Sequence, residues 1–193
     1  MTLNDIRSFF SSFCRKEIHD RTLIRAGVLV PLFTQEDELH VILTQRTETV
    51  EHHKGQVSFP GGVMDSADET IVDTALREAE EEIGLMRNTV EVLGIFNDFR
   101  TPSGFCITPV VGFLTLVPSF VLNKTEVSEI FDVPLSFFLD FRNERIEQRA
   151  FSGKIINVYL YRYGNHEIWG TTAEMLLAFL YALNTKIKQK NIL

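Results

Sequence analysis

Glu78, Glu80, Glu81 and Glu82 crowd four carboxylates into five consecutive positions, in a stretch whose apolar residues recur at helical spacing. Like charges three or four residues apart on a helix repel one another, so a chain that keeps them must offset the repulsion. At 3.6 residues per turn Val72, Ala75, Leu76, Ala79 and Ile83 form one apolar stripe. Glu78 and Glu82 then stack at i,i+4 along its edge, Glu81 lies one step further round, and Glu80 points elsewhere. Three carboxylates on the border between core and solvent are what a divalent cation with oxygen ligands can collect. A solvated acidic face is the competing reading of the same run.

The approach to this helix adds to the metal reading. Phe59-Pro60-Gly61-Gly62 puts a glycine pair shortly before it, where a sharp turn lets other groups come close to the backbone and a glycine carbonyl can join the carboxylates. Ser66 and Asp68 are good N-caps, Glu69 brings negative charge to the first turn and Gly84 ends the run, so the helix is expected over about 69–83. Magnesium in such a site neutralises a diphosphate and acidifies a bound water, and a glutamate can take the water's proton. Phosphoryl transfer then needs no Ser or Cys nucleophile.

A chain of 193 residues, 45% hydrophobic, is the size of one domain with its own core. Its 19 basic and 26 acidic residues leave a formal charge of −7, which argues against a broad nucleic-acid footprint. Cys14 and Cys106 make neither a zinc spacing nor a disulfide framework and read as core thiols in a reducing compartment. Leu3, Ile6, Phe9, Phe10 and Phe13 recur at helical spacing in the first twenty residues, as in a docking helix rather than a signal peptide. No apolar run approaches the length needed to span a bilayer, and the cytoplasm is the expected location. Strands are expected at 23–33, 38–45, 90–96, 107–117 and 155–163, a short apolar segment at 56–59, short helices near 134–139 and a last helix at about 172–188. Together these suggest an α/β layered domain with a mixed sheet.

The run Arg77-Glu78-Ala79-Glu80-Glu81-Glu82-Ile83-Gly84-Leu85 closely resembles the second half of the Nudix box, and Glu69 precedes Arg77 by the usual seven residues. Six residues rather than five separate Gly62 from Glu69, a spacing similar to that of the coenzyme A pyrophosphatase branch. Leu43-Thr44-Gln45-Arg46 and His52-His53-Lys54-Gly55-Gln56-Val57-Ser58-Phe59-Pro60-Gly61-Gly62 resemble that branch's second signature, and so do Thr101 to Phe105, Ile107 to Gly112, Glu126 to Phe131 and Ile168 to Ala173. Thr47 stands where the branch has Ser or Ala, and Glu51 where it has Arg. Exchanging a cation for an anion beside a polyanionic ligand leaves ADP-ribose, NADH or nucleoside triphosphates open as alternative substrates.

The resemblance implies a single Nudix-type α/β/α sandwich over residues 1–193, with its box at about 62–85. It implies Mg²⁺ or Mn²⁺ held by Glu78, Glu81, Glu82 and the Gly62 carbonyl, with Arg77 orienting the carboxylates. The reaction implied is hydrolysis of coenzyme A or acyl-coenzyme A to 3′,5′-ADP and (acyl-)4′-phosphopantetheine, and a non-catalytic nucleotide sensor is the reading of a different class. The general base comes from the box, Glu78 or Glu81, or from a later segment, Glu129 or Glu126. Arg46 and Lys54 are the expected phosphate contacts in this acidic chain, Arg46 being equally able to pair with a box glutamate. His52 and His53 are weaker candidates. Trp169 reads as core, and Phe137-Phe138 as core or a dimer face, which leaves a homodimer open.

Overall fold

The computed structural model describes residues 1–48, 54–151 and 153–190. In chain order its elements are α1 (Leu3–Phe10), β1 (Ile24–Gln35), β2 (Glu38–Arg46), β3 (Val57–Ser58), β4 (Gly61–Val63), α2 (Ile71–Ile83), β5 (Val90–Ile95), β6 (Phe99–Arg100), β7 (Phe105–Leu114), β8 (Val127–Pro134), α3 (Leu135–Leu139), β9 (Arg145–Phe151), β10 (Lys154–Tyr163), β11 (His166–Trp169) and α4 (Gly170–Lys190). A mixed sheet runs β3-β2-β1-β7-β5, with β4 on β1, β6 on β7 and β8 on β2. The β1–β7 pair is parallel and the other pairs are antiparallel. A smaller antiparallel sheet, β11-β10-β9, packs beside it through α4 and β3.

β1 is buried for eight successive positions because both faces of the sheet are covered. Side chains alternate across a strand, and the alternation sorts the core in two. Val28, Val30 and Leu32 of β1 join Leu39, Val41 and Leu43 of β2 under α1 and α4. Leu29, Phe33 and Ile42 face the opposite way, onto Ile71, Ala75, Ala79 and Ile83 of α2. The layers are helix, sheet and helix, the α/β/α arrangement expected.

β1 and β2 are joined by a two-residue turn, Glu36 and Asp37, both with positive φ, so β1 runs two residues past the expected end at 33. α1 docks as its periodicity suggested, with Ile6 and Phe9 buried, and Phe13 follows it to stack on Phe96 at 5.1 Å. Phe138 is buried edge-on against Tyr161 and belongs to the core.

Several expectations need correction. α2 starts two residues later than expected, because Thr70 and Asp73 form a reciprocal capping box and leave Ser66, Asp68 and Glu69 outside the helix. Ile71 heads the buried stripe, while Val72 and Leu76 are only partly buried. Cys14 is exposed, unlike the buried Cys106. Trp169 is half-buried at the margin of the small sheet with the Arg149 guanidinium 4.1 Å above its ring, not in the core. β8, β9 and β11 were missed, since acidic and basic residues interrupt the apolar runs that mark strands. Among the described residues no helix is long and apolar enough to cross a membrane.

Candidate active site

The α2 helix is held at both ends by contacts that also build the site. At its C-terminus Gly84 adopts φ 69°, and its N–H reaches the Glu80 carbonyl. The last carbonyls of a helix lack partners within it. Here Val121 N–H donates to Ile83 O at 3.0 Å and Asn123 N–H to Glu82 O at 2.9 Å. The segment ahead of β8 is thereby drawn over the acidic end of α2. At the other side β4 pairs with β1, placing Gly62 so that a Cβ there would meet the Glu78 carboxylate at 2.5–2.6 Å. A side chain at Gly62 would force the Glu78 carboxylate to move, and the Gly61 N–H donates to Glu82 Oε2 at 3.3 Å.

Arg77 organises the outer half of this cluster. Its Nε and Nη2 form a fork on Asp68, at 3.0 and 2.9 Å, while Nη1 reaches Glu78 at 2.7 Å and Glu81 at 3.1 Å and Nη2 also donates to the Val63 carbonyl. The guanidinium holds the Asp68 carboxyl well below the usual carboxylate range, against the effect of burial. Asp68 was expected as a helix cap. Its role as the anchor of Arg77 was missed because the eight intervening residues of loop and helix conceal the pairing, although an Asp ahead of an arginine-led acidic run is a signal that could be looked for.

The inner half is short of positive charge. Glu82 is 2% exposed. Burial pushes its carboxyl up to about 8, Glu78 and Glu126 add to the rise, and Arg46, whose Nη1 lies 3.5 Å away, opposes it. Burial also raises Glu78, with Arg77 opposing and Glu81 and Glu126 adding. Glu81 is the exposed member. Among the described residues no three acidic, histidine or cysteine side chains already converge on one point; Arg46 and Arg77 occupy these carboxylates. The donors nevertheless fit a divalent cation: hard oxygen ligands, with Glu82 buried, Glu78 partly buried beside it, and both raised by that burial.

Glu126 and Glu129 are separated by the sheet. A bulge in β8 pairs Glu129 with Gln45 but Val127 with Arg46. Glu129 therefore shares Gln45's face, away from α2, and its carboxylate lies 3.7 Å from His166 Nε2. Val127 turns into the α2 core, and Glu126 just before it acts on both Glu78 and Glu82 while accepting a 3.0 Å hydrogen bond from Asn123. Glu129, expected as general base, thus lies on the face of the sheet away from α2, where the β8 bulge rather than plain alternation puts it. Lys54 is exposed on the turn entering β3, beside Gly55. His52, His53 and Glu51 lie outside the described residues.

The fold is thus a mixed-sheet α/β/α sandwich that sets an arginine-organised row of carboxylates beside a glycine turn. The NUDIX domain family model matches residues 23–141, and the chain belongs to the Nudix family. It is 40% identical over 151 residues to a protein of Photorhabdus laumondii named uncharacterized Nudix hydrolase NudL, covering 78% of this chain and 80% of that one. With the NudL of Citrobacter koseri it shares 34% over 178 residues, 91% and 92% of the two chains. Among solved structures, a MutT/nudix family protein from Enterococcus faecalis superposes with a TM-score of 0.52 at 17% identity, covering 95% of this chain and 70% of that one. The Nudix hydrolase RenU from M. smegmatis gives 0.52 at 23%, covering 61% and 74%. These two likenesses show the fold. The protein is a Nudix pyrophosphatase; members of this family act on small nucleotide substrates and generally use divalent metal ions.

Proposed function

We propose that the enzyme hydrolyses the diphosphate bridge of coenzyme A or its acyl derivatives, releasing 3′,5′-ADP and (acyl-)4′-phosphopantetheine. The observation that carries the chemistry is the pairing of buried, under-compensated Glu82 with partly buried Glu78 behind Gly62. The choice of substrate rests on the resemblance of residues 43–62 to the coenzyme A pyrophosphatase branch.

Glu78, Glu81, Glu82 and the Gly62 carbonyl are the groups that would hold Mg²⁺ or Mn²⁺, which when bound supplies charge neutralisation and an acidified water. Arg77, clamped by Asp68, keeps Glu78 and Glu81 oriented. Glu126 is assigned the proton of the attacking water: one oxygen–phosphorus bond forms, the bridging one breaks, and the leaving phosphate carries away the electron pair. Arg46 and Lys54 are assigned to the substrate phosphates, Arg46 exchanging part of its contact with Glu82 for them.

The test is product analysis after separate incubation with coenzyme A, ADP-ribose, NADH and dGTP in Mg²⁺. 3′,5′-ADP from coenzyme A, with Glu126→Gln lowering kcat more than Glu129→Gln, supports the reading. Preference for another substrate keeps the chemistry and discards coenzyme A, whereas tight nucleotide binding with no product at any metal concentration discards turnover.

A further inference from the structure

Behind the site, on the face of the sheet that α2 does not cover, Gln45 and His166 form a chain of contacts that the reaction outlined above leaves unused. His166 opens β11, lies flat on Phe131 with ring centroids 3.7 Å apart and an interplanar angle of 5°, and is largely buried. Its Nδ1 is 3.1 Å from Gln45 Oε1. The carboxamide's other end, Nε2, donates to the Gly55 carbonyl at 3.3 Å. That bond orients the amide, since Gly55 O can only accept, so Gln45 Oε1 is the acceptor for His166 and Nδ1 carries the hydrogen.

Gly55 follows Lys54 directly, and the next contact along the same ladder is Arg46 N–H to Gln56 O at 3.0 Å. The Ser128 hydroxyl, at the β8 bulge, donates to the Gln45 carbonyl at 3.0 Å. Gln45 thus ties β11 and the turn entering β3 to the backbone leading into Arg46. Arg46 leaves that backbone on the opposite face, toward Glu82. A shift of the backbone by a fraction of an ångström on one face moves the guanidinium on the other, and small misplacements of substrate-holding groups weaken binding or rate disproportionately.

We propose that His166, acting through Gln45 and the Gly55 carbonyl, is a positioning residue that sets the substrate-binding cations Arg46 and Lys54. This rests on the assignment of those cations to the substrate phosphates. The contacts of His166 are with Gln45, Phe131 and Glu129. It faces away from α2, which separates its role from that of the box glutamates.

The experiment compares wild type, His166→Ala and His166→Asn, whose amide nitrogen can take the place of Nδ1. For each, KM and kcat are measured with the substrate the wild type cuts best, and amide hydrogen exchange is followed at Arg46 and Gly55. His166→Ala is expected to raise KM roughly tenfold with kcat within about twofold, to speed exchange at those two amides, and to be restored toward wild type by His166→Asn. Unchanged exchange, or a fall in kcat with KM unaltered, overturns the positioning role. If the wild type cuts no diphosphate, the functional reading fails on its own, and the exchange arm still decides whether His166 holds this backbone.

Discussion

Glu82 and Asp68 show two carboxylates of one cluster driven in opposite directions by their surroundings. Glu82 is buried with weak compensation, so its folded carboxyl titrates near 8 against an ordinary 4.5. A group raised in this way contributes stability that is fully present below its unfolded value and is lost as pH rises through the folded one. The metal-free protein is therefore expected to lose Tm between about pH 4.5 and 8, and Mg²⁺ to restore it most at pH 8. Glu82→Gln should flatten that decline, remove the Mg²⁺ response and lower kcat by roughly a hundredfold or more, all readable by thermal scans and steady-state rates. Asp68 works in the other sense, because its folded value is depressed by Arg77. The pairing stabilises the fold above the ordinary carboxylate range and fades only in strong acid. Asp68→Ala removes the two-point clamp on Arg77, which keeps Glu78, Glu81 and the Val63 carbonyl as partners, and is expected to cost roughly 2 kcal/mol at neutral pH, with the gap to wild type closing as pH falls below 4 in urea titrations.

At the scale of elements, α2 shows why local signals were legible and their partners were not. The stripe, the Gly84 terminus and the i,i+4 placement of Glu78 and Glu82 follow from helical geometry, which depends only on spacing. The cap was misjudged because four residues able to cap, Ser66, Asp68, Thr70 and Asp73, lie close together, and the winner was the pair that could bond reciprocally. Gly84 carries two demands at once: a positive φ, and a Val121 side chain 3.1 Å from where a Cβ would lie. Gly84→Ala is expected to cost at least about 1–2 kcal/mol and to loosen the 121–126 segment. Denaturant midpoints would register the first effect and a lowered kcat the second, since that segment brings Glu126 to the box.

Across the whole molecule, the N-terminal helix and α4 close the face of the sheet opposite the active site. Phe9 lies against Phe13, Phe96 and Phe179, with the Phe9–Phe13 centroids 4.7 Å apart. Phe9→Ala should open a cavity there and cost about 3–5 kcal/mol, lowering Tm by roughly 10 °C while leaving KM near its wild-type value. A large change in KM would instead mean that the two faces are mechanically coupled through β1 and β2.

Residue spacing by itself determined the acidic helix, its apolar stripe, the glycine turn before it and the apolar face of α1, because each depends on neighbours within a few turns of chain. It also carried the family resemblance, which is a pattern of local identities. Only the tertiary structure decided which distant groups serve that helix: Asp68 as the anchor of Arg77, Arg46 as the weak partner of Glu82, and Glu126 rather than Glu129 beside the box. That last choice turns on a single bulge in β8. One inserted residue reverses which side chains face α2, and no property of the residues taken singly records which side of a sheet they will occupy.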